Sequence, residues 1–482
     1  MEVSRTSFLI NVLWRFFERI GAQLVSFIVT ILIARLISPE SFGTVALISV
    51  FTSILQVFVD SGLGNALIQK KDADDLDFST VFYTNVVFCL IIYIFMFFIS
   101  PLISSFYGDY NLTLYIRVVS ITLIISGVKN VQQAYVSKHL LFRKFFFSTI
   151  IGTIVAAFVG IIMALKGLGV WALITQQLVN AFLDTVIVWI TVRWRPKLCF
   201  SFSRLRELYS FGWKMLVTSL INTTFCKFRE LVIGKFYSGT ELAFYNRGNT
   251  LSLLVVQNVD ASLSSVLMPT ISNIQNNEER IQQIVKRTIK ISTYIMSPLL
   301  LGLAAVANNF VLIFLTDSWL PCVTYLIIFC VGNLFYPLYT ANLNSIAAMG
   351  RSDLYLKIEI VKKALGLVIL LGACKFGVRA IAFSFLIERF LEVFVDVIPS
   401  GMLIKYGVYE QIKDVLPNYL ISSFMFVVVH FVGKMGILPG LLLIIQIIVG
   451  MVIYVLLSII FQNDSFMYII NLIKKSRSGE NG

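Results

Sequence analysis

Apolar residues in this chain come in runs of roughly 20, the length that crosses a hydrocarbon core at about 1.5 Å per residue. Short polar connections separate the runs. The pattern predicts fourteen helical spans, over 11–36, 43–68, 79–103, 112–135, 146–165, 169–192, 210–234, 242–272, 288–307, 322–347, 358–374, 380–400, 417–433 and 439–461. Residues 31–67 also match 231–267 at a constant offset of 200. Ile31-Leu32-Ile33-Ala34-Arg35-Leu36-Ile37-Ser38 aligns with Leu231-Val232-Ile233-Gly234-Lys235-Phe236-Tyr237-Ser238, and Val59-Asp60-Ser61-Gly62-Leu63 aligns with Val259-Asp260-Ala261-Ser262-Leu263. With a one-residue gap, Trp14-Arg15 falls on Trp213-Lys214. Two parallel copies of one helical unit are a transporter's architecture.

Composition agrees: 58% of the residues are apolar and the mean hydropathy is +0.86, far above soluble domains. The expected fold is an all-α integral membrane protein. Residues 1–192 form an N-terminal six-helix lobe, 193–209 a basic cytoplasmic linker and 210–404 a second six-helix lobe. Two added helices follow in 405–461, then a cytoplasmic tail in 462–482. Fourteen spans put both termini on one side, and Lys and Arg say which: 22 lie in the loops and tails of that side against five on the other. The termini are therefore expected in the cytoplasm. The net charge of +13 is explained by those loops, and nucleic acid is not an expected partner. Anionic lipid head groups are.

No phosphate-cradling GxxxxGK[ST] occurs and no polar segment is long enough for a nucleotide-binding domain, so ATP hydrolysis is not expected. The six cysteines show no paired short spacing, and His139 and His430 lack companions at metal-ligand spacing. Arg15, Glu18 and Arg19 interrupt the first apolar run, which reads as a retained span and not a cleaved signal.

Twelve cations lie within or close to the ends of the spans: Arg15, Arg19, Arg35, Arg117, Lys129, Lys214, Lys227, Arg229, Arg247, Lys362, Lys363 and Arg389. Each central one costs roughly 2.5–3.5 kcal/mol to insert, so it should face water or a partner. At helical spacing Arg15, Arg19, Ala22, Gln23, Ser26 and Thr30 form one stripe, and Lys214, Thr218, Asn222, Cys226 and Arg229 form another. Asn246, Thr250, Gln257, Asp260 and Ser264 share a side of the eighth span. These patterns suggest a hydrated cleft between two lobes, lined by spans one, two, seven and eight. A basic cleft suits an anion, and arginine matches phosphate oxygens bidentately. The acids have a plainer reading as well. Asp60 could pair with Arg15 or Arg19, Asp260 with Lys214, and Glu230 with Arg229 or titrate during transport. Glu388, Glu392 and Asp396 recur every fourth residue on one face, either a proton or cation site or the partners of Lys362 and Lys363. Arg117 and Lys129 either add to the excess of cations or snorkel to an interface. Pro298 and Pro337 read as helix kinks.

Several segments together resemble the Wzx-type oligosaccharide flippases of the polysaccharide transporter family, in the superfamily that includes multidrug and toxin extruders (the MOP superfamily, with a MATE-like fold). They are Trp14-Arg15 with Glu18-Arg19, the turn Ala34-Arg35-Leu36-Ile37-Ser38-Pro39-Glu40-Ser41-Phe42-Gly43, and Phe58-Val59-Asp60-Ser61-Gly62-Leu63 with Ala66-Leu67-Ile68-Gln69. Arg193-Trp194-Arg195-Pro196, Phe211-Gly212 and Tyr245-Asn246-Arg247 follow in order. The resemblance implies a bacterial inner-membrane protein that moves a polyprenyl-pyrophosphate-linked oligosaccharide to the periplasmic leaflet by alternating access, coupled to H+, Na+ or the membrane potential. No cofactor is implied. A polysaccharide polymerase and a chain-length regulator are implied partners. Arg15, Arg19, Lys214, Lys227, Arg229 and Arg247 would meet the pyrophosphate, and Gln23, Asn222, Asn246, Gln257 and Asn258 the sugars. Asp60, Asp260, Glu18 and Glu230 would balance charge or couple ions. A multidrug extruder would favour an acidic, aromatic cleft, and a membrane-embedded polymerase or ligase would carry a large external loop. Neither is written here.

Overall fold

The computed structural model describes residues 21–477 apart from positions 22, 61, 71, 140, 273, 275 and 276, and their side chains except at 142, 211, 261, 262, 264–266, 268, 269, 272 and 472–477. Arg15, Glu18 and Arg19 thus lie outside the described residues. In order the helices are α1 (Gln23–Leu36), α2 (Pro39–Asp60), α3 (Leu63–Gln69), α4 (Asp75–Tyr107), α5 (Asn111–Val119), α6 (Ile121–Lys138), α7 (Phe142–Leu165), α8 (Val170–Thr191) and α9 (Phe202–Phe236). Then come α10 (Gly239–Ser272), α11 (Glu278–Phe314), α12 (Cys322–Asn333), α13 (Tyr336–Ala348), α14 (Ser352–Ala373), α15 (Val378–Ile404), α16 (Val408–Val432), α17 (Pro439–Ile460) and α18 (Asp464–Arg477). No strand occurs among the described residues.

Over the described residues, every expected span falls on a helix or a broken pair of helices. Fourteen membrane crossings is nevertheless more than helix length and apolarity alone support. Among the described residues eight helical segments are long and apolar enough to cross, or nine if α12 and α13, bent by 41° at their junction, count as one. The shortfall has a physical source. Helices α9, α10, α14 and α15 carry charged and amide side chains in mid-helix, and the described part of α1 is short.

The repeat is visible in the backbone. Helix α1 ends at Leu36 and α9 at Phe236; α2 starts at Pro39 and α10 at Gly239. The copies differ at one position. Gly62 adopts a left-handed φ of 69°, which breaks the helix between α2 and α3, whereas α10 runs unbroken through its counterpart Ser262. A Cβ on Gly62 would also lie 2.4 Å from the carbonyl oxygen of Gly212, so the break is where α9 presses against the first copy.

The chain packs as two units, 1–243 and 244–482. Helix α9, which the repeat pairs with α1, packs in the first unit against α2, α3 and α4. The segment leading into it explains why. Trp194 is buried among Phe78, Val131, Ala134 and Val188, stacks on Tyr135 at 6.0 Å, and donates its indole N–H to Asp75. Its carbonyl accepts from Gln132, while the amides of Lys197 and Ser201 donate to the hydroxyls of Ser79 and Thr80. Ion pairs finish the joint. Lys70 reaches Asp77 at 3.1 Å and Glu207 at 3.0 Å, and Lys197 reaches Asp75 at 2.6 Å. Asp74 caps α4, and the backbone N–H of Asp77 holds its carboxyl below the usual carboxylate range.

In the second unit α16 and α17 lie along α11, joined by buried polar pairs: Tyr294 to Ser458 at 3.0 Å, Ser297 to Ser422 at 2.7 Å and Asn309 to Gln446 at 2.8 Å. Small and polar side chains suit helices with no water between them. Pro298 sits inside an α11 that continues on both sides, and Pro337 occupies the first turn of α13, just past the bend.

Candidate functional site

Each unit holds a polar constellation inside helices of membrane-crossing length. In the first unit Asp60, at the end of α2, accepts from Gln56 at 3.4 Å and from Asn130 of α6 at 3.2 Å. The neighbouring Lys129 pairs with Asp184 of α8 at 2.6 Å. Lys129 is therefore spent on a carboxylate instead of snorkelling. Arg117 is held as well: its guanidinium donates to the Phe97 carbonyl and to Ser100 and lies 3.9 Å from the Phe97 ring centroid. Sequence reasoning missed Asp184 and Asn130. An acid in the otherwise apolar α8 was the available signal.

On α9, Lys214, Thr218, Asn222 and Cys226, one turn apart, are all exposed, as are the apolar Trp213, Met215, Val217 and Ile221 around them. Beyond them Lys227 is half-buried and bonded to the buried Glu230 at 2.8 Å, so its charge is matched within one turn; Arg229 is half-buried beside them. Glu230 therefore takes Lys227 as a partner. Gln23 on α1 is half-buried.

In the second unit Gln257 and Asn258 are exposed on α10, and Asn246 accepts from Thr250 at 3.4 Å. Arg247 is buried, with its guanidinium 5.1 Å from the Trp319 ring centroid. Asp260 is half-buried and shares a hydrogen bond with Tyr336 at the start of α13. The acidic row on α15 lies deep. Asp396, fully buried, meets Lys362 of α14 at 3.2 Å, and Lys362 also meets Glu359 at 2.6 Å. Arg389 takes Glu392 at 2.7 Å. Tyr339 closes the cluster, with the Lys362 ammonium 4.2 Å from its ring centroid. Lys362 thus belongs to the paired reading, and so does Lys363, which lies 3.9 Å from Glu359.

Among the described residues neither constellation sets a nucleophile beside a base. What they offer is exposed polar and cationic side chains that can hold an anionic or hydroxyl-rich ligand, and buried ion pairs whose balance a proton or cation would alter.

Comparisons with known proteins place the fold and the family. The succinoglycan biosynthesis transport protein ExoT of Rhizobium meliloti is 23% identical over 309 residues, covering 64% of this chain and 63% of that protein. The lipopolysaccharide biosynthesis protein WzxC of Escherichia coli is 24% identical over 369 residues, covering 75% and 74%. The chain thus spans a little under two thirds of the length of the first of these relatives. Among solved structures, the lipid II flippase MurJ in an inward closed conformation superposes with a TM-score of 0.76 over 95% of this chain and 99% of that one, at 17% identity. An inward-facing multidrug resistance MATE family transporter of the MOP superfamily superposes with a TM-score of 0.65 over 80% and 94%, at 15% identity. The expected MATE-like fold is thereby shown. The model of the family described as "Polysaccharide biosynthesis protein" matches residues 32–324, more than half of the sequence, and this multi-pass membrane protein belongs to that family.

Proposed function

We propose that the protein is a flippase that carries a polyprenyl-pyrophosphate-linked oligosaccharide, the repeat unit of an O-antigen, capsule or exopolysaccharide, across the bacterial inner membrane by alternating access. It is a transporter and not an enzyme, both termini are cytoplasmic, and a polymerase and a chain-length regulator take over the product. The observation that carries the reading is the exposed polar and cationic stripe of Lys214, Thr218, Asn222 and Cys226 on α9. A lysine facing lipid at that depth would cost a few kcal/mol, whereas one facing a wet chamber gains an anion's company. The names of the family and of the relatives support the same cargo class. Lys214 and Arg229, with Arg15 and Arg19 from the first copy, serve the pyrophosphate, and Asn222, Asn246, Gln257 and Asn258 serve the sugars. Lys227 and Arg247 are held by Glu230 and Trp319 and take the smaller part. Coupling to H+ or Na+ falls to the acids, with Asp60, Asp260 and the Glu359–Asp396 cluster as its seats.

The test is complementation of a strain lacking the gene. Lys214→Ala should insert and accumulate normally, abolish surface glycan and leave lipid-linked units on the cytoplasmic leaflet, while Lys214→Arg restores export. Undiminished export by Lys214→Ala removes the support drawn from the stripe.

A further inference from the structure

Away from both constellations, a cavity of about 370 Å³ opens between the first turns of α11 and the start of α18, lined by Lys286, Arg287, Lys290, Asp464, Ser465 and Tyr468. Its cations outnumber the carboxylates that answer them. Asp414 of α16 takes Lys286 at 3.0 Å and Lys290 at 3.6 Å, and Asp464 takes Lys290 at 2.6 Å. Arg287 has no carboxylate within ion-pair distance among the described residues; its guanidinium lies 4.4 Å from the ring centroid of Tyr468. A ring contact restrains the guanidinium without using its N–H donors, which stay available to a planar or tetrahedral oxyanion.

The surroundings say which oxyanion. Below the cavity α11 turns apolar, and Ile291, Ile295 and Leu299 follow one another every fourth residue down a single face, with Ile295 39% and Leu299 49% exposed. On the other wall α18 is anchored by Phe466 and Ile469 in the cluster of Tyr294 and Tyr454. A cationic mouth over an apolar ridge follows the order of a head group over an acyl chain. A free phosphate needs only the mouth. We propose that this cavity binds the phosphate of an acidic membrane phospholipid, with Arg287 as the principal ligand, Lys286 beside it and the acyl chain laid along Ile291, Ile295 and Leu299.

The experiment uses the full chain purified in detergent, followed by thermal unfolding and by native mass spectrometry of retained lipid. Phosphatidylglycerol should raise the melting temperature of the wild type and remain bound, while phosphatidylcholine and inorganic phosphate should do neither. Arg287→Ala should weaken phosphatidylglycerol binding roughly tenfold to a hundredfold, the worth of one lost charge-assisted pair. Arg287→Lys, which keeps the charge and loses the fork, should fall between, and serves alone if the alanine variant does not fold. Lys413→Ala, outside the cavity lining, should bind as the wild type does. Equal binding of phosphatidylcholine, or undiminished binding by both Arg287 variants, overturns the site; an equal response to inorganic phosphate overturns the lipid as its occupant. None of these readouts involves glycan export.

Discussion

Removing Lys362 should destabilise the second unit more than removing its partner Asp396, because the lysine has two carboxylates and the aspartate one cation. The pair is almost wholly out of water, with side chains 3% and 0% exposed and 3.2 Å apart. At an effective dielectric constant near 20 their attraction is about 5 kcal/mol, comparable with the several kcal/mol each ion loses on leaving water, so the intact pair is close to neutral in net worth. Its halves are not. Lys362→Met strands Asp396 without a cation and should cost about 3–5 kcal/mol. Asp396→Asn leaves Lys362 its 2.6 Å contact with Glu359 and should cost about 1–3 kcal/mol. The double variant Lys362→Met with Asp396→Asn removes both charges and should recover part of the loss. Scanning fluorimetry in detergent at a fixed heating rate, with the four proteins of a double-mutant cycle, reads these as an ordering of melting temperatures. At about 2–4 °C per kcal/mol for a unit of this size, Lys362→Met should melt roughly 6–20 °C below the wild type. Equal losses from the two single variants, or a double variant that melts lower than Lys362→Met, would refute the reasoning.

Two further expectations concern the first unit. Gly62→Val forces a β-branched residue into a left-handed φ and drives its Cβ into the Gly212 backbone; a loss of more than about 2 kcal/mol in the same assay is expected, whereas Ser262→Gly, at the repeat-equivalent position, should cost at most about 1 kcal/mol. Asp74→Ala should cost about 1 kcal/mol through the lost cap of α4. Since the folded carboxyl titrates lower than the unfolded one, its contribution is present above the unfolded pKa near 4 and disappears as pH falls through the folded value; the gap between variant and wild type should therefore close in acid.

Helix positions were legible in the sequence because apolar run length is set by bilayer thickness, and the repeat was legible because its offset survives in both the residues and the helix ends at Leu36 and Phe236. The crossing count was less legible, since a helix such as α14, with Glu359, Lys362 and Lys363 in mid-run, is apolar enough only if those charges find partners, and partners lie on other helices. The same limit applied to the site. Spacing along α9 gave the Lys214–Cys226 stripe, a property of one helix. The Lys129–Asp184 pair joins residues 55 positions apart, and the link of Asp396 to Lys362 requires knowing that α14 and α15 lie side by side. The close approach of Gly62 to Gly212 was present in the sequence only as two glycines in two separate motifs.

The way Trp194 and the stretch after it grip α4 bears on how the protein is made. A nascent chain that has emerged as far as Thr191 has its first eight helices but neither the indole that fills the gap between Phe78 and Tyr135 nor the helix that meets Gly62. The first unit closes only when synthesis has passed Phe236. Splitting the gene at the apparent midpoint near residue 200 should therefore yield a poorly folded amino-terminal half, while a cut between the two units, nearer residue 240, should yield a half that stands by itself.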